Sequence, residues 1–409
     1  MTISFIVTTF DIAPYVKQCL DSMVPCLAGG DQIVVVDDGS TDDTLSIIET
    51  TLAEAGLQED VTVTLVPLGS NTMGGVGIPG NIGMDHAICD TVFFVDGDDF
   101  LDPAAFSRVR KEYEKSRPDI LICNYLEYDQ KAAKTKTPAD QYRWEAIGAA
   151  SPEGGAEDID QLRATALTLI AVPWRKFYDR QFLVDNNLRF PEGDFFFEDN
   201  PFHWDVCRLA RSVAFSNTVI CYHRINRPGQ TMNSTGVELL AFFTHYQTIT
   251  SRIPQHRTDL LTQAARWLIG NMSWHFGRLK PHVLFEYCQT AASTLANIGD
   301  SIWNDALKPE YAGRTIWKIC DGLRAGDVWG VIDQIKTDQQ RDRVDRLERK
   351  ADALAKKVDE LSRRNDAINR KVDEVLASVK VCRSTLDAQK YIALFEELKD
   401  LSASYDAAS

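Results

Sequence analysis

The chain has 409 residues, 44% of them hydrophobic, which is enough for two or three separately cored units. Its formal charge of -15, from 44 Lys and Arg against 59 Asp and Glu, argues against broad binding to nucleic acid, which needs a basic surface. Nine cysteines are scattered without a CxxC pair, a pattern of reduced thiols in a cytoplasmic compartment and of no zinc site.

The N-terminus opens on a β-branched run, Ile3–Thr8, with neither the basic leader nor the apolar length of a signal peptide. A helix near Tyr15–Met23 follows, then a strand Gln32–Asp37, a helix near Thr41–Ala55, and strands Val61–Pro67 and Thr91–Asp96. This β-α-β rhythm predicts a largely parallel sheet with ligand loops gathered at the carboxyl ends of its strands. From about Lys131 to Asp158 the chain is rich in Ala, Gly, Pro and charge and reads as a long connection, a lid or an insertion. Apolar density returns over Ala164–Ser216. From about Gly236 to Asp333 the pattern is helical and is expected to form a separate unit, with Trp267, Trp274, Trp303, Trp317 and Trp329 read as buried bulk. No stretch approaches the roughly 20 apolar residues of a membrane span, so membrane contact is expected to be peripheral at most, at the inner face.

The tail repeats with a period of seven. Val344, Ala351, Val358, Asn365, Val372 and Val379 share one position, and Leu347, Leu354, Leu361, Ile368 and Val375 share the other. Five heptads predict a coiled coil roughly 50 Å long, and Asn365 in its seam favours two parallel strands. The alternative is a single amphipathic helix folded back on the body. One more short helix is expected over Leu386–Leu401.

Chemistry concentrates at strand ends. Val92-Phe93-Phe94-Val95-Asp96-Gly97-Asp98-Asp99 is an apolar strand ending in three carboxylates around a glycine. Carboxylates crowded there repel one another, and a hard divalent cation such as Mg²⁺ or Mn²⁺ would relieve that while bridging a diphosphate. A plain acidic turn fits the same residues. The strand ending Val36-Asp37-Asp38-Gly39-Ser40-Thr41 places carboxylates where a nucleobase imino group or ribose hydroxyl would donate to them, and also suits a simple strand-turn-helix junction.

Together with Ser4-Phe5-Ile6-Val7-Thr8-Thr9-Phe10-Asp11, these segments resemble the family 2 glycosyltransferases of the GT-A fold, especially bacterial surface-polysaccharide enzymes. The match continues in order through Gly80-Asn81-Ile82-Gly83, Pro173-Trp174-Arg175-Lys176-Phe177-Tyr178, Phe190-Pro191-Glu192-Gly193, Glu198-Asp199-Asn200-Pro201-Phe202 and Tyr222-His223-Arg224-Ile225-Asn226-Arg227, covering roughly residues 3–232. The resemblance implies an α/β, Rossmann-like, mostly parallel GT-A catalytic domain over 1–235. A helical domain over 236–335, a coiled coil for homo-oligomerisation over 336–382, and a short helix and tail over 383–409 complete the expected organisation.

The resemblance also implies roles. Thr9, Phe10, Asp11, Asp37 and Asp38 would hold the base and ribose of a nucleotide-sugar donor, usually a uridine nucleotide, with Asn81 and Gly97 also on the donor side. Asp96 and Asp98 would form the metal-binding pair for Mg²⁺ or Mn²⁺, Asp98 being the direct ligand. Asp199, with Glu198 alongside, would be the base for inverting transfer of a hexosyl or N-acetylhexosaminyl group to a hydroxyl of a glycan or glycolipid acceptor. Phe195-Phe196-Phe197 before it would desolvate Asp199 and raise its pKa, although both acids also suit the start of a helix near Pro201. Arg224 and Arg227 are candidates to clamp the donor diphosphate, and His223 reads as a packing or diphosphate contact ahead of a metal ligand.

Where the family often carries Arg before Asn81, this chain has Gly80, so that contact would come from elsewhere, such as Arg175 or Lys176. Gly74-Gly75-Val76-Gly77 reads as a flexible connection. Competing readings are a non-catalytic nucleotide-sugar-binding scaffold, which would need none of Asp96, Asp98 and Asp199, and a nucleotidyltransferase, which would want a basic, Gly-rich loop at the first strand.

Overall fold

Consecutive β-branched and aromatic residues leave no polar face on the early strands, so they must be buried on both sides. The computed structural model bears this arrangement. It describes the chain except residues 151–157, 231–234, 383–387 and 407–409 and the side chains of 148–150, 381–382, 388–390 and 404–406. In order come β1 (Ile3–Thr9), α1 (Ala13–Met23), β2 (Gln32–Asp37), α2 (Thr44–Glu54), β3 (Thr62–Pro67), α3 (Gly77–His86), β4 (Thr91–Asp96), β5 (Phe100–Leu101), α4 (Pro103–Ser116), β6 (Ile120–Asp129), β7 (Lys134–Lys136) and α5 (Gln141–Ala150). Then follow α6 (Ile159–Ala166), β8 (Lys176–Asp179), α7 (Arg180–Asp185), α8 (Asp199–Leu209), β9 (Val213–Ile225), α9 (Ala241–Ser251), α10 (Thr258–Phe276), α11 (Leu284–Ala296), α12 (Lys308–Tyr311), α13 (Thr315–Arg324), α14 (Val328–Cys382) and α15 (Ala388–Asp406).

The strands form one sheet in the order β3-β2-β1-β4-β8-β6-β9-β5, with β7 against β6. The first four are parallel, as the rhythm predicts. The other half is mixed: β8 runs antiparallel to both β4 and β6, and β5 antiparallel to β9. Phe93 anchors the core, with ring centroids 5.0 Å from both Phe106 and Phe177. Helix α4 shows why local sequence sets element ends. Asp102 caps it by accepting from the Ala105 N–H at 2.8 Å, Pro103 occupies its first turn, and Arg117 ends it in the left-handed region. On its inner face Arg110 Nη1 meets the buried Asp31 Oδ2 at 2.6 Å.

Two segments differ from their sequence reading. The 131–158 stretch contributes an exposed β7, buried Asp140 and α5 with a fully buried Trp144, so it is anchored to the core at Asp140 and Trp144. Helices α9–α13 fall in the same compact unit as the sheet, Met1–Ile332, and do not form a unit of their own. The reason is aromatic packing. Phe242 of α9 lies 4.8 Å from Phe197, His245 Nε2 is 2.7 Å from the Phe196 carbonyl, and Trp267 Nε1 donates to Asn200 Oδ1 at 3.2 Å.

The second unit, Asp333–Ser409, is nearly all helix: the continuous α14 and then α15. Part of the expected terminal helix, Leu386 and Asp387, lies outside the described residues. Trp303 and Trp317 are buried, whereas Trp329 is 66% exposed. All eight described cysteines are free and buried. Among the described residues, no helix is long and apolar enough to cross a membrane.

Candidate active site

Parallel register brings the ends of β1, β2 and β4 to one edge, pairing Thr9 with Asp37 and Thr8 with Asp96. At the nucleoside end, polar groups mostly hold one another. Asp37 Oδ1 accepts from Thr9 Oγ1 at 3.0 Å and from Ser40 Oγ at 2.6 Å. Asp38 accepts from the Thr72 N–H at 2.9 Å and from Asn71 Nδ2 at 3.0 Å, and burial raises its pKa. Asp11, at φ 46°, accepts from the Thr41 N–H at 2.7 Å. Only glycine fits at 39, where φ is 74° and a Cβ would stand 2.3 Å from the Ser70 carbonyl carbon. Of the residues expected to hold the donor base and ribose, Phe10 and Asp11 are exposed, whereas Thr9, Asp37 and Asp38 are buried.

The acidic end of β4 gathers a cluster. Asp96, Asp99 and His223 each offer one ligand atom within 4.8 Å of the others. His223 Nδ1 lies 2.9 Å from Asp99 Oδ2, and its ring stacks on Trp174 at 5.0 Å. Burial, then the charges of Asp99 and Asp98, push the Asp96 carboxyl well above the usual range. Burial opposes a charge on His223, yet Asp99 beside it prevails and raises the imidazole to about 9. Two carboxylates and an imidazole suit a hard or borderline divalent cation, once His223 releases its proton. Asp98 stands outside this set because Arg227 Nε binds its Oδ2. The converging acids are therefore Asp96 and Asp99, with Gly97 between Asp96 and Asp98; a Cβ there would meet Thr9 Cγ2 at 2.7 Å.

The two arginines divide. Arg224 is buried, and its backbone N–H donates to Asp99 Oδ1 at 2.7 Å. Its Nε donates to the Asp98 carbonyl at 2.7 Å, and its other nitrogens serve Gln130 and Gln18. With its side chain buried and three of its five N–H donors engaged inside the protein, it fixes the acidic loop. Arg227 sits at the edge, paired with Asp98 and partly exposed.

On the facing side, Asp199 opens α8 and keeps part of its surface in solvent while protein surrounds the rest. Burial, then the charge of Glu198, raises it to about 7, with Lys176 opposing. Lys176 is itself buried, its Nζ bonded to the Val172 carbonyl, and its pKa falls to about 7. Two residues before Asp199, Phe197 adopts φ 66°, a strained region for a bulky residue. Asn200 holds it there, donating from both N and Nδ2 to the Phe197 carbonyl at 3.1 and 3.0 Å.

Glu198 faces the other way. Its Oε1 accepts from the N–H groups of Gly75 at 2.9 Å and Gly77 at 2.7 Å, so the loop read as a flexible connection is pinned to the Glu198–Asp199 segment. A Cβ on Gly77 would stand 2.7 Å from Glu198 Cγ. Asn81 is buried and also works as a brace, donating to the Phe190 carbonyl at 2.9 Å and accepting from its N–H at 2.9 Å. A Cβ at Gly80 would come within 3.0 Å of Phe190, which explains why a large residue is absent there. Both suggested substitutes are buried: Arg175 lies against Asp140 at 2.9 Å, and Lys176 is buried as described.

Sequence reasoning undervalued Asp99 and His223, which stand 124 residues apart and meet only in the fold. The doubled Asp at 98–99 was the one available signal.

The mixed α/β sheet flanked by helices is that of the GT-A fold. Residues 4–183 match the family model for glycosyl transferase family 2, and the chain carries a domain of that family. It is 27% identical over 224 residues to the uncharacterized glycosyltransferase EpsJ of Bacillus subtilis, covering 55% of this chain and 61% of that one. It is 25% identical over 249 residues to the poly(ribitol-phosphate) beta-N-acetylglucosaminyltransferase TarS of Staphylococcus aureus, covering 59% of this chain and 39% of TarS. The chain thus spans less than two thirds of these relatives. In three dimensions it resembles S. aureus TarS 1–349, solved with UDP-GlcNAc, at a TM-score of 0.61 and 19% identity over 83% of this chain and 92% of that one. That likeness extends past the sheet into the helices.

Proposed function

We propose that the chain is an inverting, divalent-metal-dependent glycosyltransferase. It moves a hexosyl or N-acetylhexosaminyl group from a nucleotide-diphosphate sugar, uridine-linked as in the TarS complex, to a hydroxyl of a glycan or glycolipid in bacterial surface-polysaccharide synthesis. The observation that carries this reading is the pairing of Asp199, raised to about 7, with the Asp96–Asp99–His223 cluster, close enough that Asp199 helps to raise Asp96.

Asp96, Asp99 and neutral His223 would hold the cation, and Asp98 would join only by releasing Arg227. When bound, the cation neutralises charge that develops on the departing diphosphate. Phe10 offers a face to the base, while Asp37 and Asp38 keep the surrounding loops in shape. The acceptor hydroxyl gives its proton to the Asp199 carboxylate as its oxygen bonds the anomeric carbon. The bond from that carbon to the diphosphate oxygen breaks on the opposite face, and the electron pair leaves with the nucleotide diphosphate. A base near 7 is matched to neutral pH. Arg224 keeps the acidic loop in place, and Glu198 and Asn81 brace the donor-side loop against the base segment. The exposed heptad face of α14 supports a homo-oligomer, and a cytoplasmic location, peripheral to the inner face of the membrane, suits a lipid-linked acceptor.

The test is nucleotide release from a panel of nucleotide sugars with and without Mn²⁺ or Mg²⁺, using wild type, Asp99→Asn and Asp199→Asn. Metal-dependent release from one donor, lost in both variants, is expected. Donor binding without turnover in the wild type, with candidate glycan acceptors present, would replace the enzyme with the nucleotide-sugar-binding scaffold.

A further inference from the structure

The second unit presents its apolar residues in two different ways. Before Asn365 the seam of α14 lies bare, with Leu347, Leu354 and Leu361 exposed by 58, 63 and 55%. Beyond Asn365 the seam residues Ile368, Val375 and Val379 are half-buried. Leu394, Leu398 and Leu401 of α15 line one groove there with Ile368, Val372 and Val375 of α14. The last heptads are thus partly covered from within the same chain.

That cover leaves a further apolar edge. Tyr391, Ile392 and Phe395 of α15 remain exposed, Phe395 by 76%. On a helical wheel Phe395 and Ile392 stand roughly 100° and 160° round from Leu394, so the apolar arc is wider than one neighbour covers. On α14 the flanking residue Leu376 is also exposed. It occupies the position that Glu348, Ala355, Ser362 and Asn369 hold in earlier heptads, so the edge of the seam turns apolar where α15 lies alongside.

Charge selects the occupant and its direction. The residue before each Val-type seam position is basic in five successive heptads: Arg343, Lys350, Lys357, Arg364 and Lys371. The residue after each Leu-type position is Glu348, Ala355, Ser362, Asn369 or Leu376, and none of these is basic. Antiparallel pairing of two copies would set the basic rows against each other. Parallel pairing sets each basic row against the uncharged or acidic row, with Arg343 facing Glu348 of the second copy. Val at one seam position and Leu at the other, with Asn365 between, also favours two parallel strands.

We propose that two copies of the chain pair their α14 helices in parallel, in register through Val344–Leu361. Beyond Asn365 they close a four-helix bundle in which each α15 seats its Ile392–Phe395 edge against the other copy. The proposal rests on the self-association proposed above and adds its direction and its four-helix end.

Sedimentation equilibrium on the full chain is expected to give a dimer; a monomer at every concentration, or a trimer, overturns the bundle and the pairing together. Ile392→Lys with Phe395→Lys changes residues exposed in the single chain, so each copy should keep its helix content. The dimer should weaken by about tenfold or more, the least that two buried apolar side chains contribute. Unchanged dimer strength removes the four-helix end and leaves the α14 pair. Val344→Cys in a Cys382→Ser background is expected to cross-link to itself under mild oxidation, as parallel register demands; failure of that dimer to cross-link overturns the parallel direction.

Discussion

Replacing Glu198 by Gln separates its two effects on the site. The amide oxygen can still accept from the Gly75 and Gly77 N–H groups, so the brace survives, while the negative charge next to Asp199 disappears. The Glu198 charge raises Asp199 after burial does, and two unit charges roughly 6 Å apart at an effective dielectric between about 20 and 40 repel by about 1.4–2.8 kcal/mol. Tenfold corresponds to about 1.4 kcal/mol, so the Asp199 carboxyl should fall from about 7 by about one to two pH units. A base works ionised, so the acidic limb of activity should move to lower pH by that amount, with Glu198→Ala lowering activity at every pH by freeing the loop. The assay is nucleotide release between pH 5 and 9, paired with carbon-detected titration of the Asp199 carboxyl, which needs no turnover. An Asp199 value unchanged in Glu198→Gln would refute the electrostatic account and leave burial as the sole cause.

Asp199→Asn should raise thermal stability at pH 8, raise it less at pH 5 and leave it unchanged near pH 3. The folded protein holds the extra proton above the usual carboxylate range of about 4, so stability falls as pH rises to about 7. With Asp199 partly in solvent, the gain is about 1–2 kcal/mol, or about 2–4 °C. Gly77→Ala should lower the melting temperature and kcat together, since its Cβ collides with Glu198 Cγ; overpacking of this kind costs about 1–3 kcal/mol, measured by denaturant titration. Arg224→Ala should destabilise the fold by about 1–3 kcal/mol, because the Asp98 carbonyl loses its Nε donor while the backbone bond to Asp99 remains. Arg227→Ala should destabilise by about 1–3 kcal/mol, because it leaves the nearly buried Asp98 carboxylate without its partner, and calorimetry on the two variants measures both.

The strands with continuous apolar runs, β1, β2 and β4, were legible because burial on both faces leaves little else for them to be. Antiparallel β8 was not, since direction depends on the chain's path between strands and not on the strand's residues. The same division holds in the site. Asp96 and Asp199 stand out from their local settings, one after an apolar strand and one after an aromatic run. The partners that decide what neighbouring acids do are distant: Thr72 for Asp38, the Gly75 and Gly77 amides for Glu198, and His223 for Asp99. A carboxylate's identity shows a capacity to accept hydrogen bonds; which donors fill it is tertiary information. Arg224 and Arg227 look alike in sequence for the same reason, and only burial separates a brace from a rim residue.

The short strand β5 has its ladder partner in β9, and Asp99 just before it receives its hydrogen bonds from His223 and Arg224 of that strand. On a ribosome adding about 5–20 residues per second, the 124 residues from Asp99 to His223 take roughly 6–25 s to emerge. The parallel half of the sheet can assemble during that interval, but its acidic rim waits for a strand that arrives much later. A nascent chain cut short before β9 would carry most of the sheet and only Asp96 and Asp99 of the Asp–Asp–His cluster, so synthesis order itself delays the completion of that cluster.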